Sequence, residues 1–98
     1  MYAVVNHLHL TKQIDEYRES VERELKPMLM AMPGFVAFHL VKVADDKCIV
    51  ILLWEDATSA DNGAKKFGPG WFHTNIAPYL ASEQQRSQGE VIVTSGKS

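Results

Sequence analysis

Asn6 stands between Val4 and Leu8 at alternate positions of Tyr2-Ala3-Val4-Val5-Asn6-His7-Leu8-His9-Leu10. In a strand those three side chains share one face. A carboxamide on an apolar face needs hydrogen-bond partners once buried. It serves either as a polar anchor for a ligand, or as a local plug satisfied by backbone or water. His73 lines up with Ile76, Ala77 and Leu80 at helical spacing. An imidazole there is either an iron ligand or general base, since its ordinary pKa lies near neutrality, or a first-turn histidine with an ordinary hydrogen bond. Asn6 and His73 are the candidate catalytic residues.

Other groups carry weaker signals. His7 and His9 lie two apart and so share a strand face, a spacing that suits a metal pair. No acidic residue nearby in sequence completes the set, and His39 falls on a different strand, so no metal site is expected. Cys48 opens an apolar run and reads as a small buried hydrophobe. Gly63, with Ala60, Ala64 and Phe67, gives one helix a small inner face. Either that helix packs very close to a sheet, or it leaves room for a ligand. If a cavity exists, Tyr17, Val21, Trp54, Phe67, Trp71, Phe72 and Tyr79 supply apolar walls for it, the usual lining of a small-molecule site. The alternative is that these aromatics are simply core. Gly68-Pro69-Gly70 is a helix breaker rather than a phosphate loop, because proline lacks the needed N–H. No nucleotide fingerprint and no Ser/His/Asp signature is present.

Composition narrows the class. The chain has 98 residues, 46% of them hydrophobic and 22% charged, which is the balance of one globular domain. That domain is expected over residues 1–95, with 96–98 frayed. The net charge of −2 includes no basic stripe, so nucleic acid is not an expected partner. One cysteine excludes an internal disulfide framework. With no basic segment before the first apolar residues and no apolar run near the roughly 20 residues of a membrane span, the expected location is cytoplasmic, away from the membrane.

The elements that must position these residues follow from periodicity. Tyr2–Leu10 reads as a strand. Thr11 is the expected cap of a helix whose apolar face is Ile14, Tyr17, Val21, Leu25, Met28, Leu29 and Met32, with a kink at Pro27. Phe35–Val43 and Cys48–Trp54 read as a hairpin turning at Ala44-Asp45-Asp46-Lys47. Asp56 or Thr58 caps a second helix, broken at Gly68-Pro69-Gly70. Trp71–Leu80 reads as a further helical segment, and Glu90–Thr94 as the last strand. The order β-α-β-β-α-β is the split βαβ arrangement, an α+β ferredoxin-like fold with a four-stranded antiparallel sheet.

The third strand is apolar on both sides. Cys48, Val50, Leu52 and Trp54 point one way; Ile49, Ile51 and Leu53 point the other. Helices cover only one side. Leaving three aliphatic side chains in water forfeits about 1.5–3 kcal/mol each, a large share of the ~5–15 kcal/mol that holds a domain together. A second copy of the chain is the simplest cover, so a homodimer through the sheet face is expected.

This element order, with Met32-Pro33-Gly34-Phe35 and Leu53-Trp54-Glu55, resembles the dimeric α/β-barrel superfamily, in particular its antibiotic-biosynthesis-monooxygenase type. The likeness runs from Tyr2 to Thr94. It implies two sheets packed face to face across a dimer. It also implies a small monooxygenase that needs no cofactor and acts on an aromatic or quinol-like molecule. On that reading Asn6 anchors the substrate and His73 moves a proton. Tyr17, Val21, Trp54, Gly63, Phe67, Trp71, Phe72 and Tyr79 bind the substrate. The segment Asn6-His7-Leu8-His9-Leu10-Thr11-Lys12 also resembles the first strand of the haem-degrading members. That implies an alternative in which His73 and Asn6 hold haem, although Gly63 stands where those members carry a tryptophan. A third possibility is a non-catalytic ligand-binding or stress-related dimer of the same fold.

Overall fold

The computed structural model describes residues 1–96. Strand β1 (Tyr2–His9), helix α1 (residues 14–30), strands β2 (Phe35–Ala44) and β3 (Lys47–Trp54), helix α2 (Ala57–Phe67) and strand β4 (Gln85–Glu90) follow in the expected order. The strands form one sheet in the order β2-β3-β1-β4, every neighbouring pair antiparallel. The fold is α+β and ferredoxin-like. Among the described residues, no helix is long and apolar enough to cross a membrane.

Alternation sets the layers. Val4, Leu8, Cys48 and Trp54 are buried on the inner face, packed against Ile14, Tyr17, Leu29, Ala60 and Phe67 of the helices. The Pro33-Gly34 turn works because Gly34 takes φ +79, a conformation that side-chain-bearing residues rarely adopt. Its carbonyl accepts the Glu55 N–H at 2.8 Å, joining the start of β2 to the end of β3. Asp56 is the cap of α2: its Oδ1 accepts the Ser59 N–H at 2.8 Å.

Three local expectations change. Thr11 does not cap α1, because its N–H donates to the Tyr79 carbonyl at 2.7 Å. Gln13 stands at the cap, its N–H donating to Glu16 Oε2 at 3.0 Å. The Pro27 effect falls upstream as a wide turn over Val21–Leu25, where the Lys26 N–H donates to Val21 five residues back. Proline cannot donate to Arg23, and its ring crowds that carbonyl, so the helix widens before it. Beyond α2 the chain stays helical in short pieces to Tyr79, interrupted at Gly70 (φ −92, ψ −107).

The last strand differs most. It is Gln85–Glu90, not Glu90–Thr94. Its ladder runs along β1 from His7↔Gln85 to Tyr2↔Glu90, and ends where the Val91 N–H meets the Met1 carbonyl at 2.9 Å. Val91-Ile92-Val93 has strand-forming side chains but no partner strand among the described residues, and Ile92 and Val93 are 87% and 84% exposed. Of the expected frayed end, Lys97 and Ser98 lie outside the described residues.

Candidate functional site

Between the inner face of the sheet and the helices lies a cavity of about 160 Å³. Strand alternation places Asn6 on its wall with Val4 and Leu8, and Val50, Leu52 and Trp54 beside them from β3. From the helical side come Tyr17, Val21, Gly63, Phe67, Trp71 and Phe72. The expected apolar wall is therefore assembled, with one exception. Tyr79 does not line the cavity; its ring packs edge-on against Tyr17 at 6.5 Å, under the Lys12 ammonium at 3.9 Å.

Three buried polar atoms project from this wall without a hydrogen-bond partner among the described residues: Asn6 Oδ1, Tyr17 OH and Gln84 Oε1. Orphaned buried polar groups are uncommon and call for an explanation. Burial, with Tyr79 alongside, raises the Tyr17 pKa above its ordinary value, so its hydroxyl keeps its proton and can donate. Arg86 sits opposite Asn6 in the β1–β4 register and brings a cation to the wall. Its Nη2 donates to Gln88 Oε1 at 3.1 Å.

Sequence reading does not single out Gln84 and Arg86, because residues 82–88 are uniformly polar and carry no alternation of apolar side chains. Their spacing of two, which places both on one strand face, is the signal that was available.

His73 is not brought to Asn6. It is exposed and does not line the cavity. Ile76, from the same helical stretch, is the residue turned inward. His7 and His39 are exposed. His7 pairs in register with Ile49, and His39 with Ile51, which places both on the outer side of the sheet. The His9 ring nitrogen Nε2 bonds Asp46 Oδ2 at 3.0 Å. Among the described residues no group of three or more His, Cys, Asp or Glu is placed to hold a metal.

Gly63 resolves the question of the small inner face in favour of close packing. A Cβ there would lie 2.5 Å from Cζ2 and 2.6 Å from Cη2 of Trp54. The Trp54 ring, 1% exposed and edge-on to Phe35 at 5.7 Å, fills the space above the helix. This bears on haem. The candidate iron ligand His73 lies outside the cavity. A tryptophan, which the resemblance to haem-degrading proteins would ask for at this position, has no room at Gly63. The cavity is also well below the ~300–1,000 Å³ of larger ligand sites. The residues present do not fit haem held by His73 and Asn6.

Cys48 lines the cavity, and burial pushes its thiol up to about 11. It is a neutral wall group rather than a nucleophile. Alkylation by iodoacetamide at pH 8 is expected to run about 100-fold slower in the folded protein than in denaturant, following the thiolate fraction. Equal rates would show that the thiol is not shielded. The sign for stability follows. Keeping this thiol neutral contributes fully below its unfolded pKa of about 8.5, and the contribution is lost as pH rises towards 11.

Fold and cavity together define a ferredoxin-like chain with an apolar cavity between sheet and helices. No family model matches the sequence, and no curated protein matches it. Solved structures do. The chain is similar to SnoaB, a cofactor-independent oxygenase from Streptomyces nogalater, at 18% identity and TM-score 0.77, over 98% of this chain and 97% of that one. It is similar to a monooxygenase from the gene ActVA-Orf6 of Streptomyces coelicolor, solved with nanaomycin D, at 13% identity and TM-score 0.75, over 99% and 92%. A variant of MhuD with two manganese protoporphyrin IX molecules per active site matches at 16% identity and TM-score 0.73, over 99% and 100%. The chain has the fold of antibiotic-biosynthesis-type monooxygenases, as its motifs implied.

Proposed function

We propose that this chain is a small monooxygenase in which molecular oxygen reacts directly with an electron-rich aromatic or quinol-like substrate. The observation that carries this reading is the apolar cavity holding three unpartnered polar atoms, on Asn6, Tyr17 and Gln84. SnoaB, described as a cofactor-independent oxygenase, supports it from the side of the fold. For a quinol, one oxygen atom bonds to a ring carbon. The other leaves as water with two of the substrate's hydrogens, and the quinol becomes a hydroxyquinone. The substrate supplies all the electrons, so the protein needs only to orient it and exclude water.

Asn6 anchors a ring oxygen, and the Tyr17 hydroxyl donates to charge developing on another. Arg86 favours the ionised, more easily oxidised form of the substrate. The aromatic and aliphatic walls, from Val21 through Trp54, Phe67, Trp71 and Phe72, hold the ring. His73, exposed and away from the wall, has no part in proton transfer in this reading.

The working unit in this reading is a homodimer closed over the outer sheet face. Support comes from Ile49, Ile51 and Leu53, which lie on the side of the sheet away from the helices, and from Val41 and Val43, 41% and 59% exposed on β2. A cytoplasmic setting belongs to the same proposal and is consistent with the free thiol of Cys48.

Oxygen uptake with a panel of quinols tests the activity. Wild type is expected to consume oxygen. Asn6→Ala is expected to lose about tenfold or more in kcat/KM, as one buried hydrogen bond is removed, while His73→Ala stays within about twofold. A folded Asn6→Ala protein with unchanged turnover would remove Asn6 from the site. No uptake by wild type with any quinol would favour the non-catalytic binding protein.

A further inference from the structure

The cavity's size and its polar atoms together say more about the ligand than the fold does. The volume of about 160 Å³ is close to the ~150 Å³ apolar cavity that accepts benzene. It is well short of the ~300–1,000 Å³ that larger ligands occupy. The most closely packed part of the wall is fixed by Trp54, Leu10 and Ile14. Trp54 is 1% exposed, Leu10 2% and Ile14 4%, and Trp54 is already pressed onto Gly63. Packed side chains of this kind resist expansion.

Chemistry adds a second restriction. Asn6 Oδ1 on β1 and Gln84 Oε1 just before β4 are carboxamide oxygens, which only accept hydrogen bonds. Tyr17 OH, from α1, accepts or donates. Three elements thus direct acceptors into one small apolar space. A ligand that satisfies both carboxamides must bring two donors.

We propose that the site is specific for single-ring aromatic compounds carrying two hydroxyl groups, the dihydroxybenzene class, and excludes quinols of three fused rings. This rests on the oxygenase reading for its chemistry, but its test is binding. Trp54 and Trp71 both line the cavity, so their fluorescence reports occupancy. The full-length protein would be titrated without oxygen with hydroquinone, naphthohydroquinone, anthrahydroquinone and p-xylene, the last having the shape of hydroquinone without its donors.

Hydroquinone is expected to quench saturably and to bind at least about tenfold more tightly than p-xylene, because the xylene leaves both carboxamide oxygens unpaired. Anthrahydroquinone is expected to give no saturable change, and naphthohydroquinone to bind at least about tenfold more weakly than hydroquinone. In Asn6→Leu and Gln84→Leu variants the preference over p-xylene is expected to shrink by about tenfold each.

Anthrahydroquinone binding as tightly as hydroquinone overturns the size limit and leaves the oxygenase reading standing. Equal affinity for p-xylene and hydroquinone overturns the donor requirement. Binding of no quinol overturns the inference altogether. Saturable hydroquinone binding with no oxygen uptake in air supports the inference while removing the oxygenase reading.

Discussion

Replacing Gly63 by alanine is expected to destabilise the protein by about 3 kcal/mol, although alanine is the better helix former. In an open helix position the exchange would gain up to about 1 kcal/mol. Here the new Cβ falls 2.5 Å from Trp54 Cζ2, a separation that real atoms do not tolerate. The indole is buried at 1% exposure and cannot swing into solvent. Either the ring leaves its packing against Phe35 or α2 lifts from the sheet, and overpacking of this kind costs typically 1–3 kcal/mol and sometimes more. Urea unfolding would show a lower midpoint with an unchanged slope. Gly68→Ala, where nothing lies within 4 Å of the added carbon, serves as the control and should stay near wild type. Combining Gly63→Ala with Trp54→Leu should cost less than the sum of the two single changes, since they share one contact. A Gly63→Ala midpoint equal to wild type would show that helix and indole are not in close contact. The same geometry predicts that tryptophan at position 63 does not convert this chain into a haem-degrading relative.

An aspartate at Ile51 is expected to turn the proposed dimer into a monomer. Ile51 lies on the central strand β3, between Val5 of β1 and His39 of β2 on the outer face. In a face-to-face dimer it would sit near the centre of the interface, where truncations and uncompensated charges cost most. A cost of about 4 kcal/mol raises the dissociation constant by about 10³-fold. Sedimentation equilibrium over a concentration series reads this directly. Lys65→Asp on the exposed side of α2 should leave association unchanged. Wild-type protein that stays monomeric at micromolar concentrations would sink the dimer, as would an Ile51→Asp variant that associates as tightly as wild type. The second outcome would direct attention to the exposed Ile92 and Val93 as the apolar surface that needs a partner.

Much of this architecture was legible in the residues because its signals are local. The alternation of Val4, Asn6 and Leu8 told which side of β1 faces the core. Pro33-Gly34 and Asp45-Asp46 told where the chain turns. Asp56 or Thr58 marked where α2 begins, and the structure selects Asp56. Seven consecutive apolar or thiol side chains from Cys48 to Trp54 told that both faces of β3 need cover. The sequence left the aromatics open as core or cavity wall; in the structure Tyr17, Val21, Trp54, Phe67, Trp71 and Phe72 line the cavity, while Tyr79 and His73 do not.

What the tertiary structure decided has a common physical cause: each case depends on pairing or packing between elements that local spacing does not specify. Gln85–Glu90 is a strand because β1 offers it an open backbone edge, while Val91-Ile92-Val93, with better strand-forming side chains, lies beyond the end of that ladder and stays exposed. Gln84 and Arg86 enter the site only through that pairing. His73 turns outward although its spacing matches Ile76, because the helix is irregular there: His73–Asn75 gives way at Ile76 (φ −115) to a 3-10 turn over Ala77–Tyr79, and Ile76 alone is buried. Gly63 serves close approach because of where the Trp54 ring comes to rest, nine residues earlier in the chain and on another element. By itself the sequence determined the elements, the inner face and the need to cover the outer one. The pairing of β1 with β4 and the seating of Trp54 on α2 decided which polar groups meet in the cavity and how large a ring it can hold.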